Sequence, residues 1–383
     1  MVQPILQFGT SRFLQAHVDL FIAEALAGAP GAGDALGGIT VVQTTDRADG
    51  AARIAALADG KGYPVRVRGL AGGQRVDRLQ HCLAVRDAWH ASTHWPALRQ
   101  AVAQGDVKVI VSNTGDQGYG LSAQDGPALL AAGSPAPQSF PAKLLVLLHG
   151  RWQQTPNKTL TLLPCELVER NGEVLRDLVG QLARQWGLPE GLQQWLQGSP
   201  SGLVWANSLV DRIVSEAIEP VGAVAEPYAV WVVERQAGLQ LPCRHPAIVL
   251  TDDLAAHERL KLFLLNAGHT FLAERWLLDQ RPAAETVRQA MADAALRTEL
   301  EALWRDEILP VFQALGEGPQ AEAYLRDVRE RFENPFLEHR IADIAQNHAA
   351  KKQRRLAPIV ALAAQRAPGL LQPRLQAALA TPN

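Results

Sequence analysis

The chain is short of the residues that mark several protein classes. It has three cysteines in 383 residues, Cys82, Cys165 and Cys243, odd in number and far apart. No Cys-x-x-Cys and no zinc-ligand spacing occurs, so neither a disulfide framework nor a metal site is expected. His245, His257 and His269 recur every twelve residues, which matches no ligand motif. Basic residues are not in excess: Lys+Arg 37 against Asp+Glu 39 leaves a net charge of −2. That removes the electrostatic footprint of a nucleic-acid binder. No run approaches the roughly 18 apolar residues of a membrane span. Met1-Val2-Gln3-Pro4-Ile5-Leu6 lacks the charged region and apolar core of a signal peptide. These absences predict a cytoplasmic protein of a reducing compartment, with no nucleic-acid or membrane partner. What remains is a 47% hydrophobic chain, ample for a core. Its length predicts two domains.

Ile5-Leu6-Gln7-Phe8-Gly9 reads as a short apolar strand ending in glycine, and a helix follows. Strand, tight glycine turn and helix form a dinucleotide-binding opening, with the helix N-terminus offering N–H groups to a pyrophosphate. Gly-x-Gly-x-x-Gly would need glycines at 9, 11 and 14; the chain has Gly9, Ser11 and Leu14. Ile39 to Gln43 reads as a second strand, followed by Thr45-Asp46-Arg47. An acidic residue there favours the ribose of NAD and an arginine accommodates the phosphate of NADP. Asp46 leans the choice to NAD without excluding NADP, and the pair also reads as a plain solvated turn. Val107 to Val111 is a buried strand ending in Ser112-Asn113-Thr114, expected beside the cofactor crevice or as a turn cap. From Asp252 onward the pattern is almost wholly helical. The predicted fold is an α/β Rossmann-type N-terminal domain over 1–250 followed by an all-α C-terminal domain over 251–383.

One helical stretch carries three polar residues it has no packing reason to carry: Lys261, Asn266 and His269 in Lys261-Leu262-Phe263-Leu264-Leu265-Asn266-Ala267-Gly268-His269. At roughly 100° per residue, with Lys261 at zero, His269 falls at about 80° and Asn266 at about 140°. All three project from one side. Gly268 falls at about −20°, beside the lysine, where the missing side chain is expected to leave space. A proton donor, an oxygen-holding amide and an orienting imidazole on one face point to carbonyl chemistry.

Lys-x4-Asn-x2-His is the motif of the polyol-specific long-chain dehydrogenases, the family of mannitol dehydrogenase and the hexuronate reductases, and the chain resembles that family from about residue 5 to about 365. The family opens with Gly-x-Gly-x-Phe-x-x-Ala-His, matched here at Gly9, Phe13, Ala16 and His17 and departed from at Ser11. Further shared pieces are Ser112-Asn113-Thr114, Pro164-Cys165-Glu166-Leu167, Asn171-Gly172, Leu209-Val210-Asp211-Arg212-Ile213 and Arg331-Phe332-Glu333-Asn334-Pro335. They are most like the tagaturonate reductase branch. The resemblance implies NAD-dependent, metal-independent reduction of a keto-hexuronate. Lys261 would be the general acid/base, Asn171 and Asn266 would hold the carbonyl oxygen, and His269 would position the sugar. It places the cofactor on Phe8, Gly9, Ser11, Arg12, Phe13, Asp46, Asn113 and Thr114, and the substrate near Asp211, Arg212, Arg340 and Lys351. On spacing alone Asn171-Gly172 is a common turn, and Lys351-Lys352-Gln353-Arg354-Arg355 is a solvated basic face. The expected partner is a small sugar acid or polyol, and the expected state a monomer or homodimer.

Other dehydrogenase types fail on residues. None of Tyr63, Tyr119, Tyr228 and Tyr324 has a lysine four positions on, so the short-chain Tyr-x-x-x-Lys site is absent. The alternatives that stay open are a mannonate, fructuronate or mannitol-type dehydrogenase of the same family, and a dinucleotide-binding protein without catalysis.

Overall fold

Strands that are apolar along their whole length are buried on both faces, and four strands of the first unit are of this kind: Ile5–Phe8, Ile39–Gln43, Val109–Ser112 and Leu160–Pro164. The computed structural model describes residues 2–45, 48–115 and 118–381. In chain order its strands are β1 Ile5–Phe8, β2 Ile39–Gln43, β3 Tyr63–Ala71, β4 Gln74–Cys82, β5 Val85–His90, β6 Val109–Ser112, β7 Leu160–Pro164, β8 Leu203–Trp205, β9 Ser208–Asp211, β10 Val214–Ala217, β11 Ala223–Ala225, β12 Val230–Glu234 and β13 Ile248–Thr251. Six of them form a parallel sheet in the order β5-β2-β1-β6-β7-β8. The chain runs outward from β1 to β5, then returns to lay β6 beside β1. The strand order therefore reverses between β1 and β6, and a ligand crevice opens at such a point beyond the carboxyl ends. Smaller sheets follow in the orders β10-β11-β3-β4 and β13-β12-β9.

The chain divides into two compact units. The first holds the residues up to Val67, Arg78–Ala225 and Ala229–Leu254; the second holds Arg68–Asp77, Glu226–Tyr228 and the described residues from Ala255 onward. A single cut at 250 misses the two short pieces that belong with the helical unit. One of them is the β3–β4 turn, where Gly72 and Gly73 both have positive φ, 59° and 76°, as a two-residue hairpin turn requires. The Glu330 carboxylate accepts hydrogen bonds from both glycine N–H groups, at 3.1 and 2.6 Å.

The helical unit contains two π segments, Lys261–Asn266 and Leu303–Ile308, each continuous with α-helix on both sides. In the first, the Ala267 N–H reaches back five residues to the Leu262 carbonyl. In the second, the Leu309 N–H reaches back five to Trp304, and Pro310 follows with no N–H to offer. The segments are joined: the fully buried Trp304 donates its indole N–H to the Leu264 carbonyl at 3.1 Å. Among the described residues, no helix is long and apolar enough to cross a membrane.

Candidate active site

The helical unit carries the densest group of candidate residues. Lys261 and Asn266 bracket the first π segment, and His269 lies on the helix Ala267–Leu278 that continues it. Such segments are rare and concentrate at functional sites. The extra residue changes the geometry read from an ideal α-helix. Lys261 and Asn266 are five apart, close to one π turn, so they come onto nearly the same side of the helix rather than about 140° apart. Both are half-buried, and His269 is buried.

The space expected at Gly268 is filled. A Cβ built there would stand 2.7 Å from Cζ2 of Trp304 and 3.3 Å from the Phe332 ring. Gly268 is a close-packing glycine that lets the indole lie against the helix. His269 stacks on Phe332 with ring centroids 4.3 Å apart and meets the His339 ring edge-on at 4.9 Å. Burial holds the His269 imidazole well below the ordinary histidine range. Positive charge at His339, Arg331, Arg355 and Lys351 acts in the same direction.

The basic run 351–355 is not the solvated face its sequence suggests. Lys352 is buried against the Glu274 carboxylate at 3.2 Å, and the same carboxylate holds His348 Nε2 at 2.7 Å. Lys351 and Arg355 are half-buried, and Gln353 and Arg354 face solvent. The Lys351 ammonium donates to the Ile344 carbonyl at 2.7 Å. Arg340 is exposed, and its backbone caps the helix Ile341–Ile344.

In the first unit, β1 ends at Gly9, whose φ of 116° excludes a side chain. A Cβ there would lie 2.4 Å from the Asn113 carbonyl oxygen, because β1 and β6 end side by side. The helix α1, Arg12–Gln15, starts at once and α2, Val18–Leu26, follows. Ser11 has an ordinary extended backbone, φ −65°, and its hydroxyl accepts from the Leu14 N–H at 3.2 Å. The position needs no glycine, and the serine supplies a cap that glycine lacks. Arg12 is exposed and lines a cavity of about 180 Å³ with Gln15, Arg53 and Glu219. The Phe8 side chain is fully buried against Phe140 at 5.2 Å. Phe13 packs on His17 at 4.7 Å. Asp46 and its neighbour Arg47 lie outside the described residues.

The ends of β6 and β7 are tied by a residue that sequence reasoning passed over. The buried Glu166 carboxylate accepts from Ser112 Oγ, the Thr114 N–H and Thr114 Oγ1, each at 3.0 Å, and from Tyr119 at 3.4 Å. Burial, and then Glu166, push the Tyr119 hydroxyl up. Asn113 donates to the Cys165 carbonyl at 2.8 Å. A glutamate at a strand end, one strand of the sheet after an Asn-Thr pair, was the signal available.

Asn171 is used differently from the expectation. It opens the helix Asn171–Gln185 rather than a turn. Its amide donates to the carbonyls of Pro164, Glu166 and Ser208, and its oxygen accepts from the Ser208 N–H. With the side chain fully buried and both ends engaged, no donor is left over for a substrate oxygen. Asp211 and Arg212 are buried at the end of β9, and Arg212 donates to the Ala16 carbonyl at the end of α1. Arg212 thus ties the end of β9 to the end of α1.

Family models match the chain in two adjoining stretches: the mannitol dehydrogenase Rossmann domain over residues 3–242 and the mannitol dehydrogenase C-terminal domain over 253–381. The altronate oxidoreductase of Halalkalibacterium halodurans is 31% identical over 379 residues, covering 92% of this chain and 69% of that protein. That of Bacillus subtilis is 30% identical over 380 residues, covering 93% and 74%. Among solved structures, D-sorbitol dehydrogenase in substrate-free form superposes with a TM-score of 0.78 at 22% identity, over 95% of this chain and 77% of that one. Pseudomonas fluorescens mannitol 2-dehydrogenase, in a ternary complex with NAD and D-mannitol, gives 0.69 at 18% identity over 99% and 78%.

Proposed function

The chain belongs to the mannitol dehydrogenase family of oxidoreductases, and we propose that it reduces the ketone of a keto-hexuronate, of the tagaturonate-to-altronate type, with NADH and without a metal. The observation that carries this is the grouping of Lys261, Asn266 and His269 around one π segment. The naming of relatives at about 30% identity as altronate oxidoreductases supports the substrate class.

The fit to a dinucleotide rests on the turn after β1. Its backbone is bare at Gly9, it lies at the reversal of strand order, and an exposed arginine, Arg12, stands at the start of α1. Gly9, Ser11, Arg12 and Phe13 would hold the cofactor's phosphates, with Asn113 and Thr114 bordering its ribose; bound there, it supplies or accepts a hydride. The remaining work falls to the chain's own groups. Asn266 donates a hydrogen bond to the carbonyl oxygen as that oxygen gains charge. Lys261 gives the oxygen its proton, and in the reverse direction takes it from the alcohol. His269, neutral because burial lowers its proton affinity, orients a neighbouring hydroxyl. Asn171 acts at one remove, by fixing the strand ends it bonds to, and Asp211 is the first-unit candidate for the substrate.

The test is absorbance at 340 nm with NADH and with NADPH against tagaturonate, fructuronate and fructose. Oxidation of NADH by tagaturonate is expected. Turnover of fructose alone would replace the keto-hexuronate with a neutral ketose as the substrate. A Lys261→Ala enzyme is expected to lose roughly 10²–10⁴-fold in kcat; one that keeps most of its turnover would end the assignment of the proton donor.

A further inference from the structure

The helical unit holds more positive charge around His269 than its own carboxylates neutralise. Arg331 is matched: it forms a buried pair with Glu226 at 2.9 Å. Lys352 and His348 are matched by Glu274. Asp343 faces His339 and draws its proton affinity up, against burial and the charges of Lys351 and Arg331. Arg355 and Lys351 are left. Among the described residues neither has a carboxylate within ion-pair distance. Arg355 reaches only the hydroxyl of Thr270, at 3.4 Å, and Lys351 only a backbone carbonyl. Both are half-buried. Holding two cations partly out of water without a counter-charge is unfavourable unless an anion arrives to share the place.

We propose that Arg355, with Lys351 and His339 beside it, receives the carboxylate of the substrate, and that Arg355 is what separates a sugar acid from a neutral polyol in this enzyme. This rests on the keto-hexuronate reading and gives it a residue. The planar guanidinium fork matches a carboxylate in two parallel hydrogen bonds, which a lysine does not. The spacing along the helix also fits. The Thr270 hydroxyl donates to the Asn266 carbonyl at 2.8 Å, so Arg355 meets the helix one turn beyond the asparagine assigned to the ketone. One turn of four residues is about 6 Å. A ketone and a carboxylate separated by four carbon–carbon bonds of about 1.5 Å span about 5 Å when extended.

The experiment compares kcat/KM for tagaturonate and for the neutral ketose tagatose, with NADH, in the parent, in Arg355→Gln and in Arg355→Lys. The acid-to-ketose ratio is expected to fall roughly 10- to 100-fold in Arg355→Gln, as for loss of a charge-assisted hydrogen bond, mostly through KM. Arg355→Lys, which keeps the charge and guards against a folding failure, should recover part of the ratio. An unchanged ratio in both variants, in a parent that turns over tagaturonate, overturns the role of Arg355 and leaves the function standing. A parent that accepts only the neutral ketose overturns the keto-hexuronate reading and the inference with it.

Discussion

Replacing Asp19 by asparagine should change how the stability of the first unit depends on pH. Asp19 lies on α2 with none of its surface exposed. Its Oδ2 accepts from the Tyr63 hydroxyl at 2.7 Å and from Gln7 Nε2 at 3.5 Å, and its Oδ1 has no hydrogen-bond partner. Burial outweighs those two bonds and lifts the carboxyl to about 7. The same surroundings push the nearby Cys82 thiol to about 12. In the unfolded chain an aspartate titrates at about 4. Between those values the folded state holds a proton that the unfolded state has released, so stability falls as pH rises. The contribution is fully present below about pH 4 and is lost by the time pH has passed about 7. The slope is about 1.4 kcal/mol per pH unit. An asparagine in its place keeps an acceptor for Tyr63 and has nothing to ionise. The Asp19→Asn protein should therefore gain on its parent by roughly 2 kcal/mol between pH 5 and pH 7, with the gap flat above about pH 8. Urea midpoints of both proteins at pH 5, 6, 7 and 8, read by tryptophan fluorescence, measure the gap. A gap that does not change over that range refutes the reasoning, because the carboxylate would then be solvated in the folded state.

Two further outcomes follow from packing and hydrogen bonding. Gly268→Ala should lower Tm, because crowding Trp304 costs about 1–3 kcal/mol while the gain in helix propensity is only about 1 kcal/mol; a rise in Tm would mean that the indole does not lie where it is described. Asn171→Ala should destabilise by roughly 3–5 kcal/mol, since it strips partners from three buried carbonyls and one N–H, while turnover per folded molecule changes little; stable protein with kcat down a hundredfold would restore the asparagine to the substrate.

β1, β2 and β6 were legible because they are buried along their whole length and read as apolar runs, whereas the edge strand β5 of the same sheet, with Arg86 exposed, was not. β4 was not, because nearly every residue from Gln74 to His81 is exposed or half-exposed and no periodicity marks a strand without a buried face. The trio Lys261, Asn266 and His269 was legible as a cluster, but its angles were not. Nothing local announces the first π segment, whose partner is an indole some forty residues on. Gly268 misled for the same reason: what fills a gap beside a glycine is decided by tertiary neighbours. The run Lys351 to Arg355 hid its buried lysine because Glu274 lies far back in the chain. Asn171 showed its position and concealed its use, since Asn-Gly suits a turn, a helix start and a ligand equally well.

The helical unit is finished by pieces of chain made long before it. The turn at Gly72 and Gly73 takes its carboxylate from Glu330, 258 and 257 residues later, and Arg331 is neutralised by Glu226, 105 residues earlier. During synthesis from the N-terminus, the hairpin tip and the acidic segment leave the ribosome first and wait for their partners. A fragment starting at residue 251 would lack Glu226 and leave its buried arginine without that counter-charge, at a cost of about 3–5 kcal/mol. Dissection into halves at the apparent boundary should therefore yield a helical piece that folds poorly by itself. Supplying 68–77 and 226–228 along with it is the condition for studying it alone.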